Sequence, residues 1–281
     1  MKVLHTVAEF RQARAAFDVL GFVPTMGYLH QGHLALVEQA RRECPAVAVS
    51  IFVNPTQFGP NEDYARYPRD TNRDLALLEA AGVDLVFIPS VEEMYPPGFG
   101  TYVIQPAADE VLEGAARPGH FRGVATVVCK LFNIVQPTKS YFGQKDAQQT
   151  VVVRQMVRDL NLPVEIVIVP TVREPDGLAL SSRNVYLNAE QRAAAPVLYR
   201  ALRTAAERYA AGERDAETLR AVMRSVLAGE PLARPDYVSV AHPLTLRELD
   251  RIGADGALLS MAVRFDQVRL IDNWLLEGEG K

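Results

Sequence analysis

The stretch Pro24-Thr25-Met26-Gly27-Tyr28-Leu29-His30-Gln31-Gly32-His33 decides how the chain reads. The apolar run before it, residues 19–23, predicts a buried strand. The segment after it, residues 34–42, predicts a helix with Val37 and Ala40 on its apolar side. Gly27 and Gly32 allow a sharp turn and a close approach of the backbone, because neither has a Cβ. A strand that feeds a glycine turn and then a helix is expected to aim unpaired N–H groups and the positive dipole end at one point. An anion is stabilised there, above all a phosphate. His30 and His33 are three residues apart and can face the same side of the helix start. A lone histidine is more often a packing or capping residue; two that bracket glycines at a strand-to-helix turn point to a ligand site.

The alternation of strand and helix continues outward from this stretch. Helices are expected over residues 7–17, 71–81, 121–135 and 147–160, and strands over 83–88, 101–104, 140–142 and 164–169. Residues 46–53 form a continuous apolar run, as expected of a strand covered on both faces of a parallel sheet. Short connections between alternating elements predict an α/β fold, a doubly wound, Rossmann-like parallel sheet. Ligands of such a sheet bind beyond the carboxyl ends of its strands, and the loops after Val23, Val53 and Phe142 all lie there. One crevice can collect all three.

After Ser181-Ser182-Arg183-Asn184 the pattern changes. Asn188 with Gln191 predicts a capping box ahead of a long helix to about residue 211, and a second helix is expected over 215–228. Strand-like runs at 237–240, 257–263 and 268–271, with a short helical piece near 244–249, complete a mixed unit. The expected division is a sheet domain over residues 1–174 and a smaller C-terminal α+β domain over 175–281, with residues 277–281 as a loose tail.

At 281 residues, with 48% apolar and 23% charged residues, the chain has a globular composition and enough length for one large domain or two modest ones. A net charge of -4 provides no basic stripe for displacing counterions along a nucleic acid, so no nucleic-acid partner is expected. A small anionic ligand needs only a local patch. The two cysteines, Cys44 and Cys129, form neither a metal-type spacing nor a disulfide framework, which suits a reducing cytoplasm. No run is apolar enough to span a bilayer, and residues 1–6 lack the pattern of a signal peptide, so no membrane partner is expected.

Three further stretches carry chemistry. Arg117-Pro118-Gly119-His120-Phe121-Arg122-Gly123 puts two arginines and a histidine around a helix-opening turn, a pattern that surface loops share. Phe142-Gly143-Gln144-Lys145-Asp146-Ala147-Gln148-Gln149 repeats the order of strand, glycine and helix. Lys145 there can set a point charge on a phosphate, although Lys145 and Asp146 also fit solvated helix-start charges. Ser181-Ser182-Arg183-Asn184 offers two hydroxyls and a guanidinium, as an ordinary loop can. The glycine spacings fit neither a Walker A loop nor a dinucleotide fingerprint, and neither a nucleophile elbow nor a zinc-type helix occurs.

The Pro-Thr-Met-Gly-x-Leu-His-x-Gly-His stretch resembles the HIGH-type nucleotide-binding motif of adenylate-forming and nucleotidyl-transferring enzymes. Together with Phe52-Val53-Asn54-Pro55-Thr56-Gln57-Phe58, Arg117 to Phe121, Phe142 to Gln149 and Leu180 to Asn184, it resembles the pantoate–β-alanine ligase family. These five motifs stand in the family's order over nearly the whole chain. The resemblance implies ATP-dependent condensation of pantoate with β-alanine in two steps. Pantoate and ATP give an enzyme-bound pantoyl adenylate and pyrophosphate; β-alanine then displaces AMP to give pantothenate. It also implies Mg²⁺ with ATP as substrate, no tightly bound organic cofactor, no metal ligands from the protein that can be named, and a cytoplasmic homodimer.

The residues follow from the same resemblance. His33 is favoured as the catalytic group, with His30, Lys145 and Arg183 beside it. ATP contacts are implied for Met26, Gly27, His30 and His33, and for Gly143, Gln144, Lys145 and Asp146. Val172, Leu180, Ser181, Ser182 and Arg183 are implied to complete them. Gln57 and Gln149, with Met26 and Arg117, are implied to read pantoate and β-alanine. Gln144 stands where many members have Glu, and keeps similar hydrogen bonds without a negative charge near the triphosphate. One rival shares the first motif, a transferase that leaves the nucleotide on its product; another, of a different class, is a nucleotide-binding regulator without turnover. The glutamine pair and the Arg183 loop disfavour the regulator, because holding ATP alone needs no second polar pocket.

Overall fold

The computed structural model describes residues 1–60 and 62–278. They form two compact units, one of Met1–Gln144 with Gln148–Pro170, the other of Lys145–Ala147 with the chain from Thr171 onward.

In the first unit the chain runs β1 (Lys2–Leu4), α1 (Val7–Arg14), β2 (Leu20–Thr25), α2 (Gln31–Glu43), β3 (Ala46–Ile51), α3 (Thr71–Ala80) and β4 (Leu85–Phe87). It continues through the short helices α4 (Val91–Met94), α5 (Pro106–Asp109) and α6 (Leu112–Ala116). Then come α7 (His120–Val135), β5 (Lys139–Gly143), α8 (Ala147–Asp159) and β6 (Glu165–Val169). The six strands pair in the order β1-β4-β3-β2-β5-β6, every pair parallel. Alternate residues of β3 explain its unbroken apolar run. Ala46 and Ala48 pack with Phe10, Phe22 and Phe132 on one face, and Val47 and Val49 with Val37, Ala40 and Leu78 on the other. Burying one such Phe or Val side chain stabilises by about 1.5–3 kcal/mol.

β2 pairs with β3 along its whole length, from Leu20↔Ala46 to Thr25↔Ile51, but with β5 only at Gly21↔Lys139 and Phe22↔Ser140. Pro24 accounts for the difference. Alternate residues of β2 turn their backbone groups to opposite neighbours: the Thr25 carbonyl accepts from Phe52 N–H on the β3 side, the Leu20 carbonyl from Thr138 N–H on the β5 side. Pro24 shares the phase of Leu20 and has no N–H to give to β5. β5 runs on, paired to β6 as far as Gly143↔Val169. The two strands thus part where the strand order reverses, which is the switch point at which doubly wound sheets bind ligands.

The second unit holds α9 (Ala189–Ala194), α10 (Val197–Ala210), α11 (Ala216–Ala228) and the antiparallel strands β7 (Arg234–Ala241), β8 (Ala257–Phe265) and β9 (Val268–Leu276), in sheet order β7-β8-β9. Leu198, Leu202, Leu219 and Met223 of the helices pack on Leu259, Met261, Val263 and Phe265 of the sheet.

Four expectations need correction. Residues 101–104 are not a strand; Val103 N–H goes to Thr126 Oγ1 at 3.0 Å instead of to a neighbouring strand. The helix expected to reach residue 211 is broken at Pro196, which lacks the N–H that would continue it. Residues 244–249 form a turn with Leu246 at φ 59°. Of the expected loose tail, Glu277 is exposed but held through its backbone, and Gly278 is closely packed. The Tyr209 hydroxyl donates to the Glu277 carbonyl at 2.8 Å, and a Cβ on Gly278 would lie 1.7 Å from Ala254 O. Residues 279–281 of that tail lie outside the described residues.

Candidate functional site

The turn after β2 is held from below. Thr25 Oγ1 donates to Ser50 O at 2.7 Å and accepts from Gly27 N–H at 3.1 Å. Gly27 has φ 82°, and a Cβ there would sit 2.9 Å from Ile51 Cγ2 and 3.1 Å from Asp74 Oδ2, so only glycine fits. The next two amides turn inward. Tyr28 N–H donates to Asp74 Oδ2 and Leu29 N–H to Asp74 Oδ1, each at 2.7 Å. Asp74 lies in the first turn of α3 and is 1% exposed. Burial pushes its carboxyl above the usual range, and the two amides pull it the other way.

The histidines themselves then cap α2, a task that Ser, Thr, Asp or Asn usually performs. His30 Nδ1 accepts from Gly32 N–H at 3.1 Å, and His33 Nδ1 from His30 N–H at 3.3 Å. The rings lie 4.1 Å apart between centroids. A ring nitrogen that accepts a backbone N–H carries no hydrogen, so each neutral imidazole bears its hydrogen on Nε2. The expectation of unpaired amides at this point is corrected for four of them. The amides of Tyr28, Leu29, His30 and Gly32 all have acceptors. The helix dipole still favours an anion at this point.

The loop after β3 is organised by Asn54, which is 1% exposed. Its Oδ1 accepts from the Tyr95 hydroxyl at 2.7 Å and from Thr56 Oγ1 at 2.9 Å. Its Nδ2 donates to Gln57 Oε1 at 3.0 Å and to Gly123 O at 3.2 Å. Gln57 Nε2 lies 3.3 Å from Met26 Sδ, so two of the expected substrate-contacting residues meet, one from each strand-end loop. α7 presses on this loop at Gly123, where a Cβ would lie 2.3 Å from Thr56 O. His120 Nδ1–H donates to Gln57 O at 2.8 Å, and its Nε2 accepts from Arg117 Nη1 at 3.1 Å. Arg117 Nε and Nη2 each donate to the Glu62 carboxylate at 2.7 Å. The Arg117 fork is thus paired with Glu62 within the protein.

Burial and the Arg117 charge push the His120 imidazole down to about 4. Between that value and the ordinary 6.5, the unfolded chain binds a proton that the folded protein excludes. Stability therefore falls as pH drops through this window, by about 3 kcal/mol in full. Thermal unfolding at about pH 7.5 and about pH 5 is expected to show a larger acid loss for the wild type than for His120→Gln. Equal losses would mean that the ring is not held neutral.

The end of β5 brings Gly143 and Gln144 to the same edge of the sheet as the turns after β2 and β3, since β3, β2 and β5 are neighbours. A Cβ on Gly143 would meet nothing within 4 Å. In the first turn of α8, Gln148 is the fully buried amide. It accepts from Glu113 N–H at 2.9 Å and donates to Ala108 O at 3.0 Å and Val111 O at 2.9 Å. Gln149 beside it is half-buried.

The remaining expected residues belong to the second unit. Lys145 Nζ is 3.4 Å from Asp146 Oδ1. Val172 O accepts from Leu180 N–H at 3.0 Å, which closes the loop of residues 172–180. Ser181 Oγ accepts from Arg183 N–H at 3.2 Å and caps the 3-10 turn Ser182–Tyr186. Of the residues that build this region, Asn54, His120 and Gly123 lie inside stretches that the sequence marks, whereas Asp74 and Tyr95 do not. Asn54 ahead of Pro55 carries a local capping signal. Asp74 carries none, because the amides it holds are 46 and 45 residues away.

A parallel doubly wound sheet with a glycine-histidine turn beside its switch point is the architecture of nucleotide-binding α/β proteins. A family model described as pantoate-beta-alanine ligase matches residues 2–275. The chain is 90% identical over 276 residues to the pantothenate synthetase of Chloroflexus aggregans, covering 98% of this chain and 100% of that protein. Its structure matches the crystal structure of the Thermus thermophilus pantothenate synthetase with a TM-score of 0.94 at 56% identity, covering 99% and 100% of the two chains. It matches the Francisella tularensis pantoate-beta-alanine ligase, solved in complex with beta-gamma ATP and beta-alanine, with a TM-score of 0.80 at 36% identity, covering 98% and 97%. The chain belongs to the pantoate–β-alanine ligase family, and the family is one of enzymes. Among the described residues no helix is long and apolar enough to cross a membrane.

Proposed function

We propose that this enzyme condenses pantoate with β-alanine at the expense of ATP through a pantoyl-adenylate intermediate, releasing pyrophosphate and then AMP. The observation that carries the reading is the pair of imidazoles with Nδ1 bound inward, at the carboxyl end of β2 and next to the Met26–Gln57 contact. It occurs in a chain matched by the ligase family from residue 2 to residue 275.

The pantoate carboxylate is ionised at neutral pH, so its attack on the α-phosphorus needs no general base. The barrier lies in bringing two anions together and in the charge that moves onto pyrophosphate. Positioning and preorganised donors address both. In our reading His33 is the catalytic donor to a phosphate oxygen, seconded by His30. Lys145, Ser181, Ser182 and Arg183 surround the triphosphate, and Met26 and Gly27 act through their backbone. Gly143, Gln144, Asp146, Val172 and Leu180 complete the nucleotide's surroundings. Gln57 and Gln149 read pantoate, each amide supplying both a donor and an acceptor. Arg117 acts at one remove, holding the Gln57 backbone together with His120.

Among the described residues no group of three or more His, Cys, Asp or Glu could hold a metal ion. Mg²⁺ would come with ATP and neutralise part of the triphosphate's charge, and no protein ligand is assigned to it. The adenylate must be kept from water, and we assign that task to the second unit, which carries Ser181 to Arg183. A cytoplasmic homodimer completes the reading.

The test is to incubate the protein with ATP and Mg²⁺, add pantoate and then β-alanine, and follow pyrophosphate and AMP separately. Pantoate-dependent pyrophosphate followed by amine-dependent AMP is expected. Pyrophosphate with no AMP after β-alanine would select a nucleotidyltransferase instead.

A further inference from the structure

Strand β9 contains two polar residues, Asp272 and Asn273, that are 3% and 5% exposed. A strand that packs on α10 needs no such pair for its core, and a buried amide or carboxylate is unfavourable unless each polar atom finds a partner. Both residues find partners outside the sheet. Asp272 receives the Arg173 guanidinium in a two-pronged pair, Nη1 to Oδ2 at 2.6 Å and Nη2 to Oδ1 at 2.9 Å. Arg173 Nη1 also donates to Gly177 O at 3.0 Å, and its guanidinium lies 4.6 Å from the centre of the Tyr199 ring. The loop of residues 172–180, which leads into Ser181, Ser182 and Arg183, is therefore fastened to β9. Asn273 reaches the other way: its Nδ2 donates to the backbone carbonyl of Lys145 at 2.9 Å, across 128 residues of sequence.

Lys145 follows β5 of the parallel sheet in sequence, yet Lys145–Ala147 group with the second unit. The Asn273 bond is a physical reason for that grouping. Two adjacent residues of one strand thus fix the backbone of Lys145 and the root of the Ser181–Arg183 loop in a single framework.

We propose that Asn273 is a positioning residue for the reaction, setting where the Lys145 ammonium is delivered to the phosphates. The proposal rests on the phosphate role assigned to Lys145 above. A long, flexible side chain is a poor preorganised charge unless its backbone is fixed, and misplacement by about 1 Å can lower a rate by as much as a hundred-fold. Asn273→Ala removes the donor, and Asn273→Leu removes it while keeping the branched shape and suiting a strand.

The experiment is a double-mutant cycle with Lys145→Ala, read in pantoate-dependent pyrophosphate release and in unfolding midpoint. Asn273→Ala, or Asn273→Leu if the alanine variant does not fold, is expected to lower kcat about ten-fold or more. The same substitution in the Lys145→Ala background is expected to lower it by less than about two-fold. Asn273→Gln, which keeps the donor, is expected to restore part of the rate. A loss of equal size in both backgrounds, or full activity of the single variants, would overturn the proposal while leaving the role of Lys145 intact. Normal pyrophosphate release by Lys145→Ala alone would overturn the role of Lys145 and this proposal with it.

Discussion

Replacing His33 with alanine is expected to lower pantoate-dependent pyrophosphate release by about a hundred-fold or more, the effect typical of losing one preorganised donor to developing charge. The substitution also removes the acceptor of the His30 N–H, so part of the damage is structural. His33→Gln separates the two effects. A glutamine three residues after an N-cap can accept the N-cap amide, as in a capping box. The glutamine variant is expected to regain the unfolding midpoint lost by alanine while recovering little of the rate. A variant that recovers both would reduce His33 to a cap. Near-normal pyrophosphate release by His33→Ala would remove it from the chemistry.

The second large effect falls on stability. Asp74→Ala leaves the amides of Tyr28 and Leu29 buried without acceptors, at about 1–3 kcal/mol each, so about 2–6 kcal/mol together. Folded domains are stable by only about 5–15 kcal/mol, so the variant is expected to lose a large fraction of its stability. Asp74→Asn keeps one acceptor oxygen but turns an N–H₂ group toward a backbone N–H, and an intermediate loss is expected. Urea unfolding of the three proteins orders them directly. Stability unchanged in Asp74→Ala would show that the turn after β2 does not depend on this carboxylate. Any activity lost in Asp74→Asn beyond its loss of folded protein would report displacement of the imidazoles.

Much of the fold was legible because the parallel sheet is buried on both faces. Its strands therefore announce themselves as apolar runs, and each glycine turn marks a carboxyl end. The parting of β2 from β5 was also available in principle, since it follows from Pro24, but only once Pro24 is known to face β5 and not β3. β9 was cut short in the sequence reading for the opposite reason. Asp272 and Asn273 look like the polar end of a strand until Arg173 and Lys145 are seen to bury and pair them.

At the candidate site the motif residues were legible and their supports were not. His30 and His33 stand out in the chain, whereas the acceptor that takes the amides between Gly27 and His30 comes from α3. Four amides of this turn and helix start are paired for that reason and are not bare. The carboxylate and the imidazoles that consume those amides are side chains, and nothing local in the sequence reveals where they point. The partners of Arg117 were hidden in the same way, since Glu62 and His120 engage its guanidinium from outside its own motif or across its turn.

The most direct test is a crystal structure of the protein soaked with Mg²⁺ and a non-hydrolysable ATP analogue. Phosphate oxygens within hydrogen-bond distance of Nε2 of His30 or His33, and beside Lys145 Nζ, are the expected result. Phosphates lodged away from both imidazoles and the lysine would contradict it.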